Sequence, residues 1–271
     1  MTKNDIINEL NEMGYKVKEQ YVMKNGVKML GISIIDSDRY MIPVFYAEDI
    51  IMKAEQTGAT VKDIVNEMLQ IHNDAVRESE ELNKPLHFNR EELLKRIYVG
   101  VQKESTEDII KSKTEFDGIE KYLFLRIEAL NDAIYSAKIY KRILEDADVD
   151  ESEAWKIAEE NVRKETQLVE ILAPPTMLED GDENEMFIIS NKLYYRGASA
   201  VLDKKVMKAF AEMVHTKKIM VLPSSIHEMI LLPYHESEYD VEICSEIVKL
   251  TNEKEVEPTE QLADRAYIIE V

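Results

Sequence analysis

The sequence carries one cysteine, Cys244. It therefore forms no internal disulfide and no cysteine-based zinc centre, and nothing in it calls for an oxidising compartment. Glycine and proline are scarce, 8 and 7 of 271 residues, against 45% hydrophobic and 32% charged residues. That balance belongs to a folded, soluble chain, not a disordered one. No apolar run approaches the ~20 residues needed to cross a bilayer. The nearest, residues 219 to 233, is interrupted by Pro223, Ser224, Ser225, His227 and Glu228. The first residues, MTKNDIINELNEMG, are too polar for a signal peptide, so a cytoplasmic protein without membrane association is expected. A phosphate-binding P-loop, a dinucleotide-binding glycine pattern and a G-x-S-x-G elbow are all missing. The five histidines, at 72, 87, 215, 227 and 235, lack ligand spacing. No metal and no cofactor are expected.

Charge of one sign is what the chain has in excess, a net of -20. It is unevenly placed. Residues 145 to 186 hold 15 acids and 3 bases, and residues 234 to 271 hold 11 acids and 3 bases. Residues 187 to 233 run the other way, with 7 bases and 3 acids. This argues against unspecific nucleic-acid binding, which needs Lys and Arg to neutralise phosphates. It fits solvated acidic faces, or acidic segments that engage a protein partner.

Hydrophobic periodicity sets the expected order of elements. Residues 4 to 13 read as a helix stopped by Gly14. Tyr15 to Met23 and Val27 to Ile35 read as strands joined by Asn25-Gly26, a type I′ hairpin signal. A turn at Asp36-Ser37-Asp38 leads to a third strand, Tyr40 to Tyr46, placed at an edge by Pro43. Helices follow over Ala47 to Gln56, over Val61 to about Arg77 behind Thr60, and after Asn89. His72 is expected at the wet margin of the second. Residues 102 to 120 read as a loop or linker, and Tyr122 to Glu128 as a strand. A helix spans Asp150 to Gln167 with Trp155 as a core anchor, and Pro174-Pro175 and Glu179 to Asp182 form a connector.

The densest patterning lies from Met186 to Pro233. It reads as a hairpin around Asn191-Lys192, with strands Met186 to Ser190 and Leu193 to Leu202. A helix capped by Asp203 follows, then strands Lys218 to Leu222 and Ile226 to Leu232. Residues 241 to 251 form a helix with Ile243, Ile247, Val248 and Leu250 mostly inward, and Ala266 to Glu270 closes the chain as a strand. The expected class is α+β, with mixed or antiparallel sheets built from hairpins, packed helices and a C-terminal β-β-α-β-β-α-β unit. The expected divisions are 1–103, 104–182 and 183–271, or one continuous domain from about residue 120.

One stretch holds a compact group of reactive side chains, Pro223-Ser224-Ser225-Ile226-His227-Glu228. Ser224 or Ser225 with His227 and Glu228 supplies the hydroxyl, imidazole and carboxylate of a hydrolase. The same spacing, Ser225-x-x-Glu228, matches a capping box in which both side chains serve backbone N–H groups. Lys204, Lys205, Lys208, Lys217 and Lys218 form a local basic group, either a solvated face or an anion site.

Several segments carry a resemblance. They are Ser190-Asn191-Lys192, Gly197-Ala198, Val221 to Glu228, Leu231-Leu232-Pro233, and Glu255 to Pro258 with Asp264 and Tyr267. With Asn25-Gly26-Val27 and the helix around Trp155, they resemble the clostridial domain-of-unknown-function family 5688, often found near mobile elements. The resemblance implies no activity, cofactor or catalytic residue. The leading expectation is a binding or accessory protein of a bacterial mobile element. The alternatives are the serine hydrolase above and an acidic mimic of DNA that inhibits a DNA-binding protein.

Overall fold

A computed structural model describes residues 1–35, 43–81, 89–128, 134–171, 186–235 and 240–271. They form two compact units, Met1–His87 and Phe88–Val271. The class is α+β, and among the described residues every strand pairing is antiparallel. The Asp36-Ser37-Asp38 turn and the connector at 174 to 182 lie outside the described residues.

The first unit is built by local signals. Helix α1 (Lys3–Glu12) starts in a capping box between Thr2 and Asp5. Strands β1 (Lys16–Lys24) and β2 (Val27–Ile35) pair in full register around Asn25-Gly26. Both turn residues have positive φ, 50° and 80°, as a type I′ turn requires. The short strand β3 (Phe45–Tyr46) adds at the edge of β2. Helix α2 (Ala47–Thr57) stops at Gly58, φ 69°. Helix α3 (Val61–Glu81) begins where Thr60 and Asp63 cap each other. Ile6, Leu10, Ile32, Ile64, Val65 and Met68 meet in this unit's core. His72 is buried, not at the wet margin, because it lies one helical turn beyond Met68 on the same inward stripe.

The second unit holds two sheets around one core. Helix α4 (Arg90–Arg96), capped by Asn89, runs into β4 (Ile97–Lys103). Strand β6 (Ile119–Glu128) pairs with β4 on one edge, and with β5 (Lys111–Lys113) and β7 (Ile134–Lys138) on the other. The expected linker at 102 to 120 is therefore folded structure. Ile109, Ile110 and Phe116 are buried there, spaced too irregularly to show a period. Helices α5 (Lys141–Asp146) and α6 (Glu151–Glu165) follow. Asp150 caps α6 at Ser152 N, 2.8 Å. Trp155 is half-buried beneath the Lys121 ammonium at 4.7 Å, so it is a margin residue; Ala154 and Ala158 take the core positions of α6.

Strand β8 (Thr166–Ile171) continues directly from α6 and is one edge of the larger sheet, whose order is β12 (Tyr267–Glu270), β10 (Lys218–Pro223), β11 (Met229–Pro233), β9 (Met186–Asn191) and β8. Strand β9 (Met186–Asn191) pairs with β8 and β11. The expected partner strand at 193 to 202 is replaced by a turn and a 3-10 helix, Gly197–Leu202. Helix α7 (Lys204–Met213) starts at Asp203 as expected. Strands β10 (Lys218–Pro223) and β11 (Met229–Pro233) form a hairpin, and β12 (Tyr267–Glu270) adds to β10 after helix α8 (Val241–Glu255). The C-terminal order is thus strand, 3-10 helix, helix, two strands, helix, strand.

Candidate functional site

The turn between β10 and β11 is tied on all sides. Ser225 N–H donates to the Glu228 carbonyl at 3.1 Å, closing the turn. The Ser225 hydroxyl accepts the His227 N–H at 3.0 Å, and the Ser224 hydroxyl donates to the Glu228 carboxylate at 3.3 Å. Ser225 thus serves a backbone N–H, as the capping reading expects, whereas the Glu228 carboxylate takes the Ser224 hydroxyl instead of a backbone N–H. His227 Nδ1 accepts the Arg196 N–H at 3.2 Å. Its Nε2 therefore carries the ring proton and faces the Glu260 carboxylate at 3.3 Å. The imidazole is engaged by Arg196 and Glu260, and neither serine hydroxyl pairs with it. The structure brings the four residues into one turn without forming the hydroxyl–imidazole pair of a hydrolase.

What the turn holds is the loop from Asn191 to Gly197. The Asn191 amide donates to the Tyr195 carbonyl at 2.8 Å, and its oxygen accepts the N–H groups of Leu193 and Tyr195, both at 3.1 Å. Ser190 donates to the His227 carbonyl at 2.8 Å. Tyr194 and Arg196 take positive φ, 49° and 51°, a region costly for residues with a side chain. At Gly197 an added Cβ would lie 2.5 Å from Asn191 N and 2.9 Å from the His227 carbonyl oxygen. Only glycine admits that approach.

The loop delivers Arg196 to the second face of the smaller sheet. Along β6, Ile119, Leu123 and Leu125 face the main core, while Glu120, Tyr122, Phe124 and Arg126 line the other face and are buried too. Arg196 donates to the Tyr122 hydroxyl, and its guanidinium lies 5.8 Å from the Phe124 ring. Tyr195 donates to Ser136 at 2.7 Å. Burial pushes the Tyr122 phenol up, with Arg196 opposing, so the hydroxyl keeps its proton. Lys138 pairs with Glu107, although burial lowers its ammonium's pKa. Gln102 donates to Glu120 at 2.7 Å, and Lys111 pairs with Glu120 at 3.1 Å.

At the other end of this face Arg126 grips Glu165 with both arms, 2.7 Å each. It also donates to the Tyr98 hydroxyl at 2.8 Å while stacking 4.0 Å over that ring. Burial works against the Glu165 charge, but the bonds from Arg126 and Tyr98 outweigh it and hold its carboxyl below the usual range. These residues line, with Lys95 and Arg96, a cavity of about 350 Å³.

Lys204 and Lys205 line a cavity of about 370 Å³ with Val99, Val162 and Leu202. Lys208 and Lys217 border another of about 460 Å³, and Lys208 lies 4.0 Å from Glu212. Lys218 is in β10.

Helix α8 differs most from expectation. Val248 and Asn252 are buried, whereas Ile243 is 61%, Ile247 38% and Leu250 48% exposed. Polar contacts hold the inward face. The Asn252 amide donates to Asp264 at 2.7 Å and to the Ala263 carbonyl at 3.1 Å. The Ser245 hydroxyl accepts the Ala266 N–H at 3.0 Å. Three apolar side chains are left on one outward stripe.

Sequence reasoning missed Arg196, Tyr122, Arg126 and Glu165. The readable signal was Tyr194-Tyr195-Arg196 immediately before a glycine. Among the described residues no group of three His, Cys, Asp or Glu side chains is placed to hold a metal ion, and no helix is long and apolar enough to cross a membrane. In comparisons with known proteins, a model of a family of unknown function, DUF5688, matches residues 2–270. No curated protein and no solved structure matches.

Proposed function

This chain belongs to DUF5688, a family of unknown function, and from that footing we propose that it acts by binding a basic protein partner. The observation that carries the reading is the outward stripe of Ile243, Ile247 and Leu250 on α8. Residues 243, 247 and 250 recur at helical spacing, so they form one surface. Glu242, Glu246 and Glu253 run along one flank, within a segment of 11 acids and 3 bases. An apolar centre with a charged rim is the anatomy of a protein interface. The rim's sign selects a partner with an apolar stripe bordered by Lys and Arg. The resemblance to proteins found near mobile elements suggests the setting, a cytoplasmic accessory protein of a bacterial element whose own machinery supplies the partner. A hydrolase on Ser224 or Ser225 is not adopted, because His227 is engaged by Arg196 and Glu260.

The test is capture from a lysate of the source bacterium on the immobilised full chain. A basic protein retained at low salt and released as ionic strength rises is expected. Retention of nothing at low salt, or only of acidic or salt-insensitive proteins, contradicts the proposal.

A further inference from the structure

We propose that the cavity between α6, the 3-10 helix and α7 binds a small organic anion with an apolar body, such as an aryl or acyl phosphate or carboxylate. The site lies apart from the stripe on α8 and does not depend on it.

The argument begins with charge. Six charged residues line this cavity: Lys121, Glu159, Arg163, Asp203, Lys204 and Lys205. Four cancel in pairs. Lys121 lies 2.9 Å from Glu159, and Arg163 is bonded to Asp203. Asp203 is further committed as the cap of α7, accepting the N–H groups of Lys205 and Val206 at 2.9 and 3.3 Å. Lys204 and Lys205 have no carboxylate partner among the described residues, and both are exposed. The cavity therefore keeps two uncompensated cations in a chain whose net charge is -20.

Their position is a second observation. Both lysines occupy the first turn of α7, which contains no acid. The positive end of the helix dipole disfavours cations there and favours anions. The two ammonium groups thus carry a local electrostatic cost that a bound anion would relieve.

The third observation is the rest of the lining. Val99, Val162 and Leu202 supply apolar surface. The volume of about 370 Å³ lies at the small end of ligand pockets. Inorganic phosphate alone would leave that apolar surface unused, and a purely apolar molecule would leave the lysines uncompensated. A molecule with one anionic group and a ring or short branched chain uses both.

The experiment titrates the full chain, with methyl groups labelled for NMR, with phenyl phosphate, inorganic phosphate and phenol. Phenyl phosphate is expected to shift the methyl signals of Val99, Val162 and Leu202 and to bind more tightly than either fragment. The variant Lys204→Gln/Lys205→Gln is expected to weaken it by about tenfold or more, the equivalent of one charge-assisted hydrogen bond. Its melting temperature should equal or exceed the parent's, since the two cations leave the helix start. Absence of those shifts at millimolar phenyl phosphate overturns the proposal. So does equal binding of inorganic phosphate, or undiminished binding by the variant.

Discussion

The Nδ1 atom of His227 accepts the backbone N–H of Arg196 at 3.2 Å, so an imidazole in one turn fixes the backbone of a strained residue in another loop. Arg196 sits at φ 51° and reaches the Tyr122 hydroxyl. His227→Ala removes the acceptor and leaves a partly buried N–H unsatisfied, at a cost of about 1–3 kcal/mol. The melting temperature should fall by roughly 2–4 °C per kcal/mol for a unit of this size. His227→Asn places an oxygen near the Nδ1 position and should recover part of the loss. Thermal unfolding of the two variants checks this; equal losses would show that the N–H bond contributes nothing.

Tyr122→Phe deletes the hydroxyl that meets the Arg196 guanidinium and keeps the ring. A partly buried cation then loses a hydrogen-bond partner, so a loss of about 1–3 kcal/mol is expected. In a double-mutant cycle with Arg196→Met, Tyr122→Phe should cost much less once the cation is gone. The coupling expected for contacting residues is about 0.5–3 kcal/mol. Additive losses would mean that the contact carries no energy.

Gly197→Ala tests the loop's close approach. The new Cβ would meet Asn191 N and the His227 carbonyl, both backbone atoms, and neither can yield without moving a strand or the turn. Overpacking of this kind costs about 1–3 kcal/mol. Chemical denaturation should show a lower midpoint with an unchanged slope.

How much of this was legible depends on how local each signal is. Asn25-Gly26, Thr60, Asn89, Asp150 and Asp203 act on their own neighbours, and each stands where the sequence places it. The β10–β11 hairpin and the class were legible for the same reason. The 193 to 202 segment misread because Gly197-Ala198-Ser199-Ala200-Val201 suits any tight packing. A 3-10 helix wins there through close contact with β9 and the His227 turn. Strand β8 overlaps the expected end of the α6 helix only at Thr166 and Gln167, and residues 168 to 171 follow with no breaker to mark the change. The Arg196–Tyr122 contact joins residues 74 apart, beyond any local pattern. On α8 the apolar residues pointed to the wrong face, because hydrogen bonds of Asn252 and Ser245 decide the orientation.

Acid should weaken the Arg126–Glu165–Tyr98 cluster. The Glu165 carboxyl is held below its ordinary value. Its contribution is therefore complete above the unfolded value of about 4.3 and is lost as pH falls through the lower folded value. Glu165→Gln should be less stable than the parent at neutral pH, and the gap should narrow in acid. Melting curves across pH 2 to 7, about the span of this titration, would show it; a constant gap would refute the linkage.

The stripe on α8 should be energetically silent in the folded chain. Surface substitutions usually stay within about 0.5 kcal/mol, so Ile243→Ser/Ile247→Ser should melt within a few degrees of the parent. Val248→Ala on the buried face should cost clearly more. A double variant that unfolds like the Val248 variant would place the stripe inside the fold.

The most direct test compares capture of the basic partner at low salt by the parent and by Ile243→Ser/Ile247→Ser, side by side. The account predicts that the folded variant loses the partner that the parent retains. Equal capture by both chains would contradict binding through α8.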